Sequence, residues 1–461
     1  RFIIATCEKG TVESMDDMKD IKARLDEIMK ANPNFVEKAS VKAFRTTDAS
    51  KVSSLRKIDA ESDPETQPKH RNGVFARFRK QPEVVEATQV KKLEPITQEV
   101  RVLRRDIKIG IPRVLNMYSL APFFQTYFEA VGVGAQNIIY SDYTDPQMWY
   151  KGSRRGSIDQ CFPSKVAIAH VHNLVFDQKK NKPDVIFYPI INKLISELVN
   201  IEDSAACPTV AISPEVVKAA FTKEGNTFEE NDMRYLSPSF DPTDWPMFQY
   251  DMWKCMNDLL QVTWEENLEA LDIAFKAWRG YFADMRSDAR QVLNKLEEEG
   301  KLGVVMLARP YHNDPGLNHE IMEEIQKKGY PIFSIDSLPQ DEDVLERLFG
   351  KEVEAGIITH PMDITDVWKN AYSENSSKKI WAAKYVARHP NLVAIDLSSF
   401  KCGHDAPNYN TIEKIIEASN TPYFTFFDID ESKPSGSIKI RVETIDYFLQ
   451  RYQEHLQRKA T

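Results

Sequence analysis

The sequence predicts an α/β protein built from two doubly wound parallel-sheet units, and three observations carry that expectation. Apolar runs of strand length alternate with segments of helical periodicity, as in IKIGIPRVL, NIIYSD and PDVIFYPII. The alternation occurs twice, from Ile107 and again from Leu302, as variations on one plan. The chain has 461 residues, more than one hydrophobic core fills.

Residues 1–36 open with the strand-like RFIIAT and continue into the helical DDMKDIKARLDEIMKA. The chain starts without Met, so this block is expected to be a fragment of an upstream region, with Cys7 belonging to a site completed there. Over residues 37–106 periodicity fades and Lys, Arg, Ser, Thr and Pro accumulate, which predicts a basic extended arm or linker. A first α/β domain follows over 107–244. In it MYSLAPFFQTYFEAVGV reads as a helix ending at glycine, and Cys161 opens the helix FPSKVAIAHVHNLVFDQKK with Pro163 in its first turn. After PDVIFYPII come the loop SELVNIEDSAAC, a short strand PTVAI and a helix from Pro214. Residues 245–300 form an aromatic-rich helical insert in which Cys255 is a small buried hydrophobe. A second α/β domain, 301–461, takes its strands from LGVVMLARP, PIFSIDSLP, NLVAIDLSS and PYFTFFDID. Its helices are GLNHEIMEEIQKKG, SSKKIWAAKYVARH, TIEKIIEASN and VETIDYFLQRYQEHLQ.

Composition excludes several functions. A net charge of −9 argues against nucleic-acid binding as the main purpose, although the basic arm on its own could serve it. No apolar run reaches the ~18 residues a membrane helix needs. The basic start and apolar stretch of a signal peptide are missing too, so a cytoplasmic location is expected. Five cysteines, an odd number scattered over a long chain, fit metal binding or reactive thiols better than a disulfide framework.

Three of them, Cys161 in DQCFPSK, Cys207 in SAACPTV and Cys402 in SFKCGHDA, stand at predicted strand ends and are trailed by Pro or Gly. Open α/β sheets place their ligand sites at the carboxyl ends of strands. Three thiolates brought together there would make an iron–sulfur or zinc site. Three ligands on a cubane leave the fourth iron open for water, sulfide or substrate, the distinction that separates reactive from sealed metal sites. Cys161 has the best local setting, because the amino end of a helix favours an anionic sulfur. A zinc site would recruit His404 or His170, and buried or merely reactive thiols remain the alternative to any metal. RPYHNDPGLNHE, residues 309–320, gathers Arg309, Tyr311, His312, Asn318 and His319. It could bind an anion, relay protons to a cluster, or simply cap the following helix. Arg113 and Asn116 leave the first strand of the first domain, and Ser153, Arg154 and Arg155 precede Cys161. There is no GxxxxGK[ST] loop, no GxGxxG after a strand and no GxSxG elbow.

IGIPRVLNMYSLAPFF, DQCFPSKVAIAHVHNLV, DVIFYPII, ACPTVAISP, ARPYHNDPGLNHEI and FKCGHDA together resemble the carboxy-terminal region of the long CoA-substrate-specific enzyme activases. That region is similar to 2-hydroxyacyl-CoA dehydratase components and double-cubane cluster proteins. RFIIATCEKG is similar to the segment just after a cysteine-bearing stretch in those proteins. The resemblance implies flavodoxin-like domains with an iron–sulfur cluster between them, held by Cys161, Cys207 and Cys402. Three ligands are too few for a double cubane, so a single [4Fe-4S] is expected unless a second chain contributes. It also implies an actin-like-fold ATPase activator, upstream in the same chain or a separate subunit. ATP hydrolysis there drives a low-potential electron onto the cluster. An acyl-CoA substrate and a homo- or hetero-oligomer are further implications. In the dehydratase version, one-electron reduction of a 2-hydroxyacyl-CoA thioester gives a ketyl radical from which the hydroxyl leaves. Arg309 and His312 are the catalytic candidates beside the cluster. The competing expectations are a non-catalytic scaffold with a zinc or vestigial cysteine site, and a zinc hydrolase.

Overall fold

Side chains that are both apolar and β-branched set the strands, and the short polar or Gly/Pro segments between them set the turns. The computed structural model describes residues 15–45, 97–156, 160–179, 181–432 and 434–460. RFIIAT and Cys7 lie outside them. Two compact units emerge, each assembled from separate stretches of chain. The first takes the described residues of 41–283 and 345–378; the second takes those of 1–40, 284–344 and 379–461. The sequence predicts consecutive blocks, whereas the units interleave.

The first unit holds β1 (Ile109–Ile111), β2 (Ile138–Tyr140), β3 (Val185–Phe187), β4 (Ile190–Ile191), β5 (Arg234–Leu236) and β6 (Ser239–Phe240). Its main sheet runs β2-β1-β3-β5, all parallel, with Ile109 opposite both Ile138 and Val185. β4 and β6 form a small parallel pair. Central β1 is buried throughout, and at Gly110 a Cβ would come within 2.9 Å of Pro183 Cγ, so only glycine admits that close approach. Phe124 and Phe128, on the helix Met117–Ala130, pack on Phe187 at centroid distances of 5.1 and 5.2 Å. Each such buried ring contributes roughly 1.5–3 kcal/mol.

The helix Gln98–Asp106 lies within the stretch expected to be an extended arm, and the helix Phe35–Ala43 overlaps its start. Arg104 of that stretch is not a solvated charge. It is buried and donates to the carbonyls of Leu260, Val131 and Gln261 and to both carboxylate oxygens of Glu266. The predicted insert forms two long helices, Trp245–Leu260 and Trp264–Glu299. PTVAI, expected as a strand, is a helical turn, Pro208–Ala211, followed at once by the helix Ser213–Thr222. Pro208 cannot donate to a sheet ladder but suits the first helical position, and that outweighs the β-branched residues behind it.

The second unit holds β7 (Gly303–Leu307), β8 (Ile332–Ser334), β9 (Leu392–Leu397) and β10 (Tyr423–Phe426). They run β10-β9-β7-β8, again all parallel, with Gly303 opposite Leu392 and Val304 opposite Ile332. Numbered in chain order within each sheet, both four-stranded sheets have the order 2-1-3-4. That is the start of the flavodoxin-like order. β7 and β9 are buried on both faces, as parallel strands under helices are. Asn34 caps the helix Phe35–Ala43 by accepting from the N–H groups of Val36 and Glu37, and Phe35 stacks on Phe333 at 5.5 Å.

Candidate functional site

In the second unit the chemistry-bearing residues gather at the carboxyl ends of β7 and β9. Arg309 and His312 follow β7; Asp396 is the last residue but one of β9, and Ser398, Cys402 and Asp405 lie in the turn after it. Cys402 is held in that turn by its N–H to the Ser399 carbonyl (2.8 Å) and by Asp405 and Ala406 N–H groups donating to its own carbonyl. Asp405 anchors the turn. One of its carboxylate oxygens accepts from Arg309 Nη2 at 2.8 Å, the other from Ser398 Oγ at 2.8 Å and Lys379 Nζ at 3.3 Å. Lys379 also reaches Asp396 Oδ1 at 2.5 Å, and Tyr423 donates to Asp396 Oδ2 at 2.8 Å. Tyr409 completes the group by donating to Ser398 Oγ at 2.8 Å.

Arg309, Lys379, Asp396 and Asp405 are each at most 1% exposed, so their two positive and two negative charges must neutralise one another. Burial alone would raise the Asp405 carboxyl, but Arg309 and Lys379 hold it far below the ordinary range. Asp396, for which burial dominates over Lys379, is pushed up to about 6. Lys379 stays above its usual value because the two carboxylates outweigh its own burial. Burial pushes the Cys402 thiol up, and Arg309 pulls it back.

His312 is buried, and burial pushes its pKa down to about 3, so the ring is neutral at pH 7. Its Nδ1 accepts from the Arg309 N–H at 3.3 Å. By that assignment Nε2 carries the proton. Nε2 is buried and has no partner among the described residues. A buried N–H without an acceptor is costly, and it is the kind of group that a ligand oxygen satisfies. Asn318 Nδ2 donates to the His312 carbonyl at 2.9 Å and fixes the turn Pro310–Asn313.

In the first unit Cys161 is the N-cap residue of the helix Phe162–His172, its carbonyl accepting from the N–H groups of Ser164 and Lys165. Among the described residues the elements just before it are the helix Pro146–Gly152 and the turn Ser153–Arg155, with no strand between β2 and Cys161. The two helices nearly touch: a Cβ on Gly152 would sit 2.2 Å from Ala169 Cα. Cys207 is the N-cap residue of the turn Pro208–Ala211 and accepts from Val210 and Ala211 N–H groups, both at 2.9 Å. The loop before it is strapped by Ala205 N–H to the Tyr372 carbonyl and by Ala206 N–H to the Asn192 carbonyl.

Cys161, Cys207 and Cys402 are free, half-buried thiols, and neither Cys161 nor Cys207 is consumed in a side-chain cap. In type they fit an iron–sulfur cluster, which is held by thiolates. Among the described residues no three or more His, Cys, Asp and Glu side chains are grouped as a metal cage. Cys161 and Cys207 belong to one unit and Cys402 to the other. His170, the partner considered for zinc, is fully buried with Nδ1 2.7 Å from Ser141 Oγ and Nε2 2.9 Å from Thr144 Oγ1. Both ring nitrogens are occupied, and burial with Arg113 nearby pushes its pKa down to about 3. It is a structural histidine. His404 is half-buried, its pKa lowered by burial. Lys379, Asp396, Ser398 and Asp405 were not among the sequence candidates. The signal was a charge inside a continuous apolar run, Asp396 in LVAIDL and Lys379 ahead of IWAA.

No curated protein matches the chain. The family described as CoA enzyme activase uncharacterised domain (DUF2229) matches residues 108–338. That stretch is half of the chain. It runs from the entry to β1 to just past β8, and takes in Cys161, Cys207, Arg309 and His312. The chain belongs to this CoA enzyme activase family.

Proposed function

We propose that the protein is the iron–sulfur electron-accepting component of an ATP-driven low-potential reductase or dehydratase system, with Cys161, Cys207 and Cys402 as the ligands of one [4Fe-4S] cluster. The observation that carries this reading is the Cys402 turn. A free thiol sits at the carboxyl edge of a parallel sheet, on a turn clamped through Asp405 to fully buried Arg309 and Lys379. Burying four charges to fix one short turn is expensive, and it holds the sulfur in a defined position. When bound, a cluster of this kind supplies a one-electron store and, with three protein ligands, one iron open to an exogenous ligand.

The chain's own residues have separable tasks in this reading. Asp405 positions the Cys402 turn. Arg309 places positive charge beside it, which favours an anionic ligand. His312, neutral with its proton on Nε2, offers one hydrogen bond to a substrate oxygen such as a thioester carbonyl. Family membership supports an acyl-CoA as that substrate and an ATPase activator of actin-like fold as the electron-supplying partner.

The test is metal and sulfide analysis of protein purified without oxygen. About four irons and four sulfides per chain are expected for one cubane. Iron-free protein, or stoichiometric zinc, would overturn the proposal in favour of the zinc or scaffold alternatives.

A further inference from the structure

Arg155 belongs to a second feature, in the first unit and independent of the cysteines. It ends the turn Ser153–Arg155, and its guanidinium carbon lies 5.1 Å from the Phe176 ring centre and 4.8 Å from that of Phe221. Two ring faces so close attract the guanidinium while leaving its N–H groups, which face no acceptor, able to donate to a ligand. Among the described residues Arg155 has no hydrogen-bond or ion-pair partner; besides the two rings it lies near His172, whose pKa burial and this guanidinium lower.

The Arg155 side chain borders a groove of about 310 Å³ also lined by Phe176, Phe221, Lys223, Glu230 and Asn231. Lys223 supplies a second cation, held only at 3.9 Å from Glu224. The groove therefore offers a planar fork, an exposed ammonium and, at Glu230 and Asn231, groups that accept from hydroxyls. The volume is at the small end of ligand pockets. Polyanions fit poorly, because Glu224 and Glu230 stand at the same rim.

We propose that this groove binds a small phosphomonoester carrying free hydroxyls, of mononucleotide size or less. Arg155 grips two phosphate oxygens through its fork, Lys223 neutralises the remaining charge, and Glu230 accepts from a ligand hydroxyl.

The experiment is calorimetric titration of the full chain with adenosine monophosphate, ribose 5-phosphate, inorganic phosphate and adenosine. The two phosphomonoesters should bind with Kd on the order of 1 mM or tighter. Adenosine, lacking the phosphate, should not bind, and inorganic phosphate should bind more weakly than either ester. Arg155→Gln should weaken ester binding at least about tenfold, since a hydrogen bond to a charged group is lost. Lys223→Gln, on an exposed loop, should weaken it by a smaller factor and serves if the Arg155 variant fails to fold. Neither variant should change iron content, which separates this site from the cysteines. No ester binding at about 10 mM, adenosine binding as well as its monophosphate, or Lys223→Gln and folded Arg155→Gln both binding like the parent would each overturn the proposal.

Discussion

At the residue scale the decisive group is Asp405. Changing it to Asn preserves size but removes the charge that answers both Arg309 and Lys379. Breaking a buried pair on one side costs roughly 3–5 kcal/mol, and Asp405→Asn is expected to lower the unfolding free energy by that amount in denaturant titrations. Two other buried groups give opposite pH signatures. Asp396 has a folded pKa near 6, above the ~3.9 of an unfolded aspartate. The stability it contributes is complete below about pH 4 and is lost as pH rises through about 6. His170 has a folded pKa near 3, below the ~6.5 of free histidine. Its contribution is complete above about pH 6.5 and is lost as pH falls toward 3. Asp396→Asn should thus remove a decline in stability between about pH 4 and 6, and His170→Gln should flatten the acid side of the profile. An unchanged profile in either variant would contradict the assignment of that group.

At the element scale the cysteines are placed by helix starts and tight turns. The helix that Cys161 opens is seated by Gly152, where no Cβ fits against Ala169. Gly152→Ala is expected to cost about 1–3 kcal/mol through overpacking and to lower the thermal midpoint; wild-type stability would mean the two helices do not pack this closely. Long, strongly patterned elements were legible in the sequence: β7 and β9, the helix Trp245–Leu260 and the helix Trp264–Glu299 all fall where apolar periodicity puts them. Pro208–Ala211 departs from the strand that PTVAI predicts because so short a run carries no period, and the proline after Cys207 starts a helix instead of stopping a strand. Arg309 and His312 were visible as a polar concentration after a strand. Their partners were not, because Arg309 meets Asp405 across 96 residues of chain and Lys379 meets Asp405 across 26. Local pattern holds no information on such pairings.

At the scale of the whole molecule, two sheets of the same strand order carry different equipment: two helix-opening thiols and a ring-held arginine in one, a clamped thiol and a buried charge cluster in the other. Residues 345–378 return to the first unit, with Asn200 donating to Asp363 at 2.8 Å and Ala205 to the Tyr372 carbonyl. The sequence could not show this, because amphipathic helices report that they have a buried face and not which sheet buries it. Among the described residues no helix is long and apolar enough to cross a membrane. The central claim is that one cluster is shared by Cys161, Cys207 and Cys402. It is tested most directly by electron paramagnetic resonance of the anaerobically reduced protein, comparing the parent with Cys161→Ser, Cys207→Ser, Cys402→Ser and the control Cys255→Ser. A reduced-cluster signal should appear in the parent and in Cys255→Ser, whose half-buried thiol lies inside a helix, and should be lost or strongly altered in the other three. No signal in the parent, or one indifferent to those three substitutions, would contradict the account.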